Sequence, residues 1–202
     1  CYFVATIAAM APTNPSQLQE LVADLGDGTY AVQFKTGSVP KYVRVDNQFG
    51  VGPYHGFKYA YYGPSRAVWA MVLEKAFAYF RTGQNSYASI AYGWMSEVFT
   101  DFGIVNSGNT SLGDAPTLQS RVSTDKQNQK AMTAGTFSSG SILVNNHAYS
   151  VLSVSLDASG NASYLVRNPW GISGNSYENG QGFAHLNYTQ MFSAFSTFTD
   201  AK

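Results

Sequence analysis

The chain has one cysteine and three histidines in 202 residues, so thiol chemistry here has a single candidate nucleophile and few candidate bases. Cys1 leads into Tyr2-Phe3-Val4-Ala5-Thr6-Ile7-Ala8-Ala9-Met10, an apolar, Ala-rich run that reads as a buried helix. A thiol at a helix start meets the positive end of the helix dipole, which favours the thiolate. Such a nucleophile needs a base to shuttle its proton and a third group to orient the base. His147, in Leu143-Val144-Asn145-Asn146-His147-Ala148-Tyr149-Ser150-Val151, stands where a strand begins after a loop, held by a rigid element yet able to face a cleft. His55, in an aromatic loop, and His185, near the end, read as structural or surface residues. Asn168, in Val166-Arg167-Asn168-Pro169-Trp170-Gly171, falls at a second strand end, where its amide can accept from an imidazole without adding charge. Trp170 beside it could shield that hydrogen bond from water, where it would otherwise be weak.

The elements that must position these residues follow from composition and periodicity. Twelve basic and twelve acidic side chains cancel, which argues against a nucleic-acid binder. A hydrophobic content of 45%, with 15% aromatic residues, is ample for a packed core and argues against a disordered tail. No apolar run approaches the roughly 18 to 20 residues of a membrane span, and a lone cysteine allows no intrachain disulfide. After the opening helix, a short helix is expected over Gln17 to Ala23 and a hairpin over Thr29 to Phe34 and Lys41 to Asp46. Phe49 to Gly63 reads as a loop whose Tyr54, His55, Tyr59, Tyr61 and Tyr62 are a candidate rim of a binding site. Trp69, Val72, Leu73, Ala76, Phe77 and Phe80 mark a helix over Ser65 to Arg81, ended by Gly83. Another helix is expected over Tyr92 to Phe102, a linker over Gly103 to Thr117, and a polar helix between Thr117 and Met132. Strands follow at Ser141 to Val144, Ala148 to Leu156 and Ser163 to Arg167. Helices first and strands later make α+β with two lobes the expected class, residues 1–110 forming a helical lobe and 111–202 a β-rich one.

Cys, then His-Ala, then Asn-x-Trp-Gly is the order of papain-like cysteine proteases, and the chain more specifically resembles the protease core of the calpain family. Cys1 through Ala9 is similar to the family's Cys, aromatic pair and Ala-rich helix. Asp27-Gly28-Thr29-Tyr30-Ala31-Val32-Gln33-Phe34 with Tyr42-Val43-Arg44-Val45-Asp46 resembles its hairpin. Trp69 with Leu73-Glu74-Lys75-Ala76-Phe77-Ala78 resembles its Trp and Leu-Glu-Lys-Ala-Tyr-Ala helix. Ser86-Tyr87, Asp101-Phe102-Gly103, His147-Ala148-Tyr149-Ser150-Val151, Arg167-Asn168-Pro169-Trp170-Gly171 and Gly182-Phe183 through Met191-Phe192 continue the likeness in order over nearly the whole chain.

The resemblance implies a papain-like fold with the active site between two lobes. It also implies peptide-bond hydrolysis through an acyl-thioester on Cys1, with His147 as general acid and base, Asn168 orienting it and Trp170 covering the pair. No metal or cofactor takes part in that chemistry. The acidic loops that bind calcium in animal calpains lack clear counterparts, so calcium control is not indicated. Two departures stand out. The family's Gln-Gly-x-x-Gly-Asp-Cys stretch, whose Gln helps to hold the oxyanion, is absent, and the acidic-Trp pair after Asn-Pro-Trp-Gly is replaced by Ile172-Ser173-Gly174-Asn175-Ser176. The expectation is a chain exposed by proteolysis before Cys1, self-inflicted by an N-to-S acyl shift or made by a second molecule, with an upstream fragment docked to supply the Gln. Partners are then protein or peptide substrates. Few charges and many Ser, Thr, Asn and Gly point to an exported, secreted or surface, bacterial protein, with a cytosolic one as the alternative. Two other readings remain beside the protease: an N-terminal-nucleophile amidase using the Cys1 amine as base, and a catalytically inactive calpain-like binding module.

Overall fold

The apolar opening segment folds as helix α1 (Tyr2–Met10), with Cys1 at its N-cap. In this computed structural model the described residues are 1–51, 60 and 68–202, so most of the expected aromatic loop, His55 included, lies outside them. Tyr2, Phe3, Ala5, Ile7, Ala9 and Met10 are all buried, because Ala leaves room for close packing while the larger side chains fill it. Helix α2 (Pro15–Glu20) is shorter than expected, and β1 (Val22–Asp24) takes over its last turn. The physical reason is pairing: Val22, Ala23 and Asp24 lie opposite Val32, Ala31 and Tyr30 of β2 (Thr29–Thr36), and a β ladder outweighs weak helix propensity. The hairpin of β2 and β3 (Val39–Asp46) forms as the alternation requires, in register from Thr29↔Asp46 to Thr36↔Val39.

Helix α3 (Trp69–Thr82) ends at Gly83, whose φ of 67° supplies the left-handed turn that a side chain would resist. A short 3-10 helix (Tyr87–Ile90) and α4 (Met95–Asp101) follow, then α5 (Ala115–Gln127), capped where Asp114 accepts the Thr117 amide at 2.9 Å. The polar helix therefore stops before Met132. Beyond it lies a strand that the sequence does not announce, β4 (Met132–Thr136). The strand expected at Ser141 to Val144 is instead a turn held by local bonds, Asn145 Oδ1 accepting the Ser141 amide and Ser141 Oγ accepting the Leu143 amide. β5 (Ala148–Leu156), β6 (Ala162–Arg167), β7 (Phe183–Leu186), α6 (Tyr188–Ala194) and β8 (Phe195–Asp200) complete the chain. Helices with two antiparallel sheets, β1-β2-β3 and β7-β6-β5-β4-β8, make the class α+β.

The chain divides into two compact units, each assembled from separated stretches. One comprises Cys1–Pro15, Trp94–Phe99 and Ile104–Lys202; the other Ser16–Gly93 and Thr100–Gly103. The helix that carries Cys1 groups with the five-stranded sheet, packing on β5 and β4. Within the second unit, Phe34 of the hairpin stacks on Phe80 at 4.6 Å and on Phe102 at 5.9 Å, and meets Phe77 at 5.7 Å. Within the first, Leu118 and Val122 of α5 join Met132, Tyr149, Val151, Tyr164, Val166, Leu186 and Phe198 in one continuous core. Among the described residues no helix is long and apolar enough to cross a membrane.

Candidate active site

Strand register decides which side chains can meet. β5 and β6 pair antiparallel with Ser150 opposite Arg167 and Val151 opposite Val166. Continuing that register one step sets Asn168 opposite Tyr149, and puts His147 two residues further along on the same face. The side chains close the gap: His147 Nε2 lies 2.9 Å from Asn168 Oδ1, with Asn168 fully buried and His147 6% exposed. The Asn168 backbone is itself fixed, its amide donating to the Gly182 carbonyl at 2.8 Å where β6 ends and β7 begins. Cys1, His147, Asn168 and Trp170 all belong to the unit built on the five-stranded sheet.

The polarity of that contact follows from its neighbours. The Trp170 backbone N–H, which can only donate, points at Asn168 Oδ1 from 3.0 Å. Asn168 Nδ2 donates to Glu178 Oε2 at 2.9 Å. Oxygen must therefore face the imidazole, so Nε2 carries the proton and Nδ1 is left with its lone pair. Trp170 also covers the imidazole, ring centroids 4.6 Å apart and tilted by 51°, while about half of its own surface stays open to solvent. Tyr149 meets the same imidazole edge-on at 5.2 Å. Burial holds the His147 imidazolium below the usual histidine range; the Asn168 hydrogen bond and the Glu178 charge pull the other way without overcoming it.

Cys1 is exposed, at the N-terminal end of α1. The helix is tied to the strand that follows His147, Ser150 Oγ donating to the Ala5 carbonyl at 2.8 Å across a buried contact. The tie lies about one helical turn from Cys1 and three residues from His147. His185 stands apart on β7, exposed, its Nδ1 3.5 Å from Ser163 Oγ.

Glu178 is the functional group that sequence reasoning missed. It is 7% exposed and accepts from Asn168 Nδ2, from the Gly174 amide at 2.8 Å, from Asn175 Nδ2 at 3.1 Å and from the Tyr149 hydroxyl at 2.6 Å. One signal was available: it is the sole acidic residue between Asp157 and Asp200. The segment around it is tightly fitted. A Cβ on Gly174 would stand 2.7 Å from Val144 Cγ2 and 2.8 Å from Asn168 Nδ2. Gly182 has φ +78°, and a Cβ there would meet the Ile172 carbonyl oxygen at 2.9 Å and Asn168 Cβ at 3.1 Å. Gly182→Ala should therefore cost about 2 kcal/mol through backbone strain and contact, lowering the thermal midpoint by roughly 4–8 °C. An unchanged midpoint in a melt followed by circular dichroism would count against this packing.

Among the described residues no three His, Cys, Asp or Glu side chains gather as a metal site would require. Comparison with curated proteins gives no match. The family model described as calpain family cysteine protease matches residues 1–181, nine-tenths of the chain, which accordingly belongs to the calpain family of cysteine proteases and is a cysteine endopeptidase.

Proposed function

We propose that the protein hydrolyses peptide bonds with a Cys1–His147–Asn168 triad in a papain-like, two-lobed fold. The observation that carries this reading is the buried Nε2–H···Oδ1 contact of 2.9 Å, whose polarity leaves His147 Nδ1 to accept the thiol proton. Cys1 Sγ attacks the scissile carbonyl carbon, and the tetrahedral oxyanion collapses as the C–N bond breaks. The imidazolium returns its proton to the leaving amine. Water then attacks the thioester, giving its proton to His147, and the C–S bond breaks to release the acid and restore the thiol. The N-terminal end of α1 supports the oxyanion, with the Gln that precedes the Cys in the family pattern as the further donor. Trp170 covers the imidazole and keeps water from the Asn168–His147 bond.

The direct test is thiol reactivity. At pH 6, iodoacetamide should alkylate Cys1 at least about tenfold faster than it alkylates glutathione, since the paired thiolate exists where a free thiol with pKa near 8.5 is protonated. The advantage should vanish in His147→Ala. Alkylation at the rate of the model thiol in the parent protein would sink the proposal in favour of a binding module.

A further inference from the structure

We infer that Glu178 is a positioning residue of the peptidase site: its carboxylate locks the Asn168 amide with oxygen toward His147 and lends its negative charge to the imidazolium that forms during the reaction. The inference rests on the proposed Cys1–His147–Asn168 reading. Its geometry is independent of it.

An asparagine amide has two nearly isosteric ends, and only one orients a histidine that must present Nδ1 to a thiol. A flipped Asn168 would turn N–H groups toward His147 Nε2, forcing the proton onto Nδ1 and removing the base from the thiol side. The Trp170 amide disfavours that flip from one side. Glu178 forbids it from the other, because a carboxylate offers acceptors alone and its Oε2 lies 2.9 Å from Asn168 Nδ2. Four donors converge on the two carboxylate oxygens: the Asn168 and Asn175 side-chain amides, the Gly174 backbone amide and the Tyr149 hydroxyl. No Lys or Arg pairs with Glu178 among the described residues. Its charge is met by neutral dipoles and stays available to the site.

The groups that face this pair are few. Tyr149, from β5, is the other titratable side chain on Glu178; burial first, and the carboxylate second, push its phenol far above the ordinary tyrosine range, so it remains a donor. Around His147 stand Asn168, the rings of Tyr149 and Trp170 and the charge of Glu178. Buried in a low-dielectric setting, a carboxylate acting through one amide bears on the imidazolium strongly enough to move its titration.

Alkylation of Cys1 by the iodoacetate anion gives a readout that packing alone would not move. The anion reacts fastest with a thiolate beside an imidazolium, so its rate falls on the alkaline side as His147 loses its proton. In Glu178→Gln, which keeps the shape and can still accept from Asn168, that alkaline limb should move to lower pH by about one unit. Asn168→Asp should set two carboxylates face to face and slow alkylation about tenfold at pH 7.5, with the rate recovering toward pH 5.5 as the pair takes up a proton. In the double variant, Asn168→Asp with Glu178→Gln, the new side-chain amide at position 178 donates to the new carboxylate at position 168, and most of that loss should be regained at pH 7.5. A folded Glu178→Gln protein with an unmoved limb, or losses that simply add in the double variant, would overturn the inference while leaving the triad intact. If Glu178→Gln does not fold, Asn168→Asp decides alone: a profile shaped like the parent's overturns the role of Glu178. A parent protein with no alkaline limb for His147→Ala to remove overturns the triad itself, and the role of Glu178 with it.

Discussion

His147→Ala should lower kcat/KM for hydrolysis of fluorescein-labelled casein by at least about 10³-fold and leave a folded protein. General acid–base catalysis alone is worth roughly 10²–10⁴, and members of a nucleophile–base unit fail together because a thiol without its base is neither deprotonated nor able to protonate the leaving amine. The fold should tolerate the change. Removing the imidazole leaves Asn168 Oδ1 still accepting the Trp170 amide and Asn168 Nδ2 still donating to Glu178, so no buried polar group is stranded. A second readout follows from burial. The folded-state pKa of His147 lies below its unfolded value, so the unfolded chain binds the extra proton and stability is lost as the pH falls below about 6.5. Without the imidazole, stability between pH 7 and pH 5 should fall less steeply than in the parent. Retained hydrolysis in the variant would point instead to an N-terminal nucleophile served by its own amine and would remove His147 from the chemistry.

How much of this site could be read from the chain alone differs residue by residue. His147 and Asn168 were legible because each flanks a strand rich in β-branched and aromatic residues, β5 and β6, and because the motifs around them are specific. Helix α3 was legible from the spacing of Val72, Leu73, Ala76 and Phe77, all fully buried. β4 was not: Met132-Thr133-Ala134-Gly135-Thr136 is buried on both faces between β5 and β8, so no polar side alternates with an apolar one. There the sheet has no room for larger side chains, since a Cβ on Gly135 would meet Thr197 Oγ1 at 2.7 Å. Glu178 was hidden for a different reason. It sits in a Ser-, Asn- and Gly-rich turn with no period, and its four partners come from β5, the β6 end and its own loop. A buried carboxylate is defined by the donors folded around it, and sequence spacing carries no trace of their convergence.

The largest effect on stability is expected at a charge cluster on the same sheet. Arg121→Met should destabilise the protein by about 3 kcal/mol at pH 7, the lower end of what breaking a buried ion pair costs, with a fall in thermal midpoint of roughly 6–12 °C. Asp200, at the end of β8, is 1% exposed and is held by Arg121 Nη2 and by Lys202 Nζ at 3.0 Å. The same guanidinium donates to Thr110 Oγ1 at 2.8 Å and Ser107 Oγ at 3.0 Å, and lies 4.5 Å over the Phe198 ring. Methionine can fill the volume over Phe198 but leaves the Asp200 charge with the half-exposed Lys202 alone. Nearby Asp125 makes matters worse. It is buried, and burial together with the Asp200 charge already holds its carboxyl above the usual aspartate range. In the parent, burial opposes ionisation of Asp200, yet the bonds from Arg121, Lys202 and Ser107 outweigh it and hold the carboxyl below its ordinary value. A depressed folded pKa contributes stability that is full above the unfolded value near 3.8 and disappears only as the pH falls further. Removing Arg121 leaves only Lys202 and Ser107 against burial and the nearby Asp125, so the Asp200 carboxyl rises and gives up much of that stability. The gap between parent and variant should be widest at pH 7 and narrow toward pH 4.5, and Arg121→Met with Asp200→Asn should recover much of the loss. Urea unfolding at the two pH values checks both statements; a gap below about 1 kcal/mol that is equal at pH 7 and pH 4.5 would show that the pair is idle.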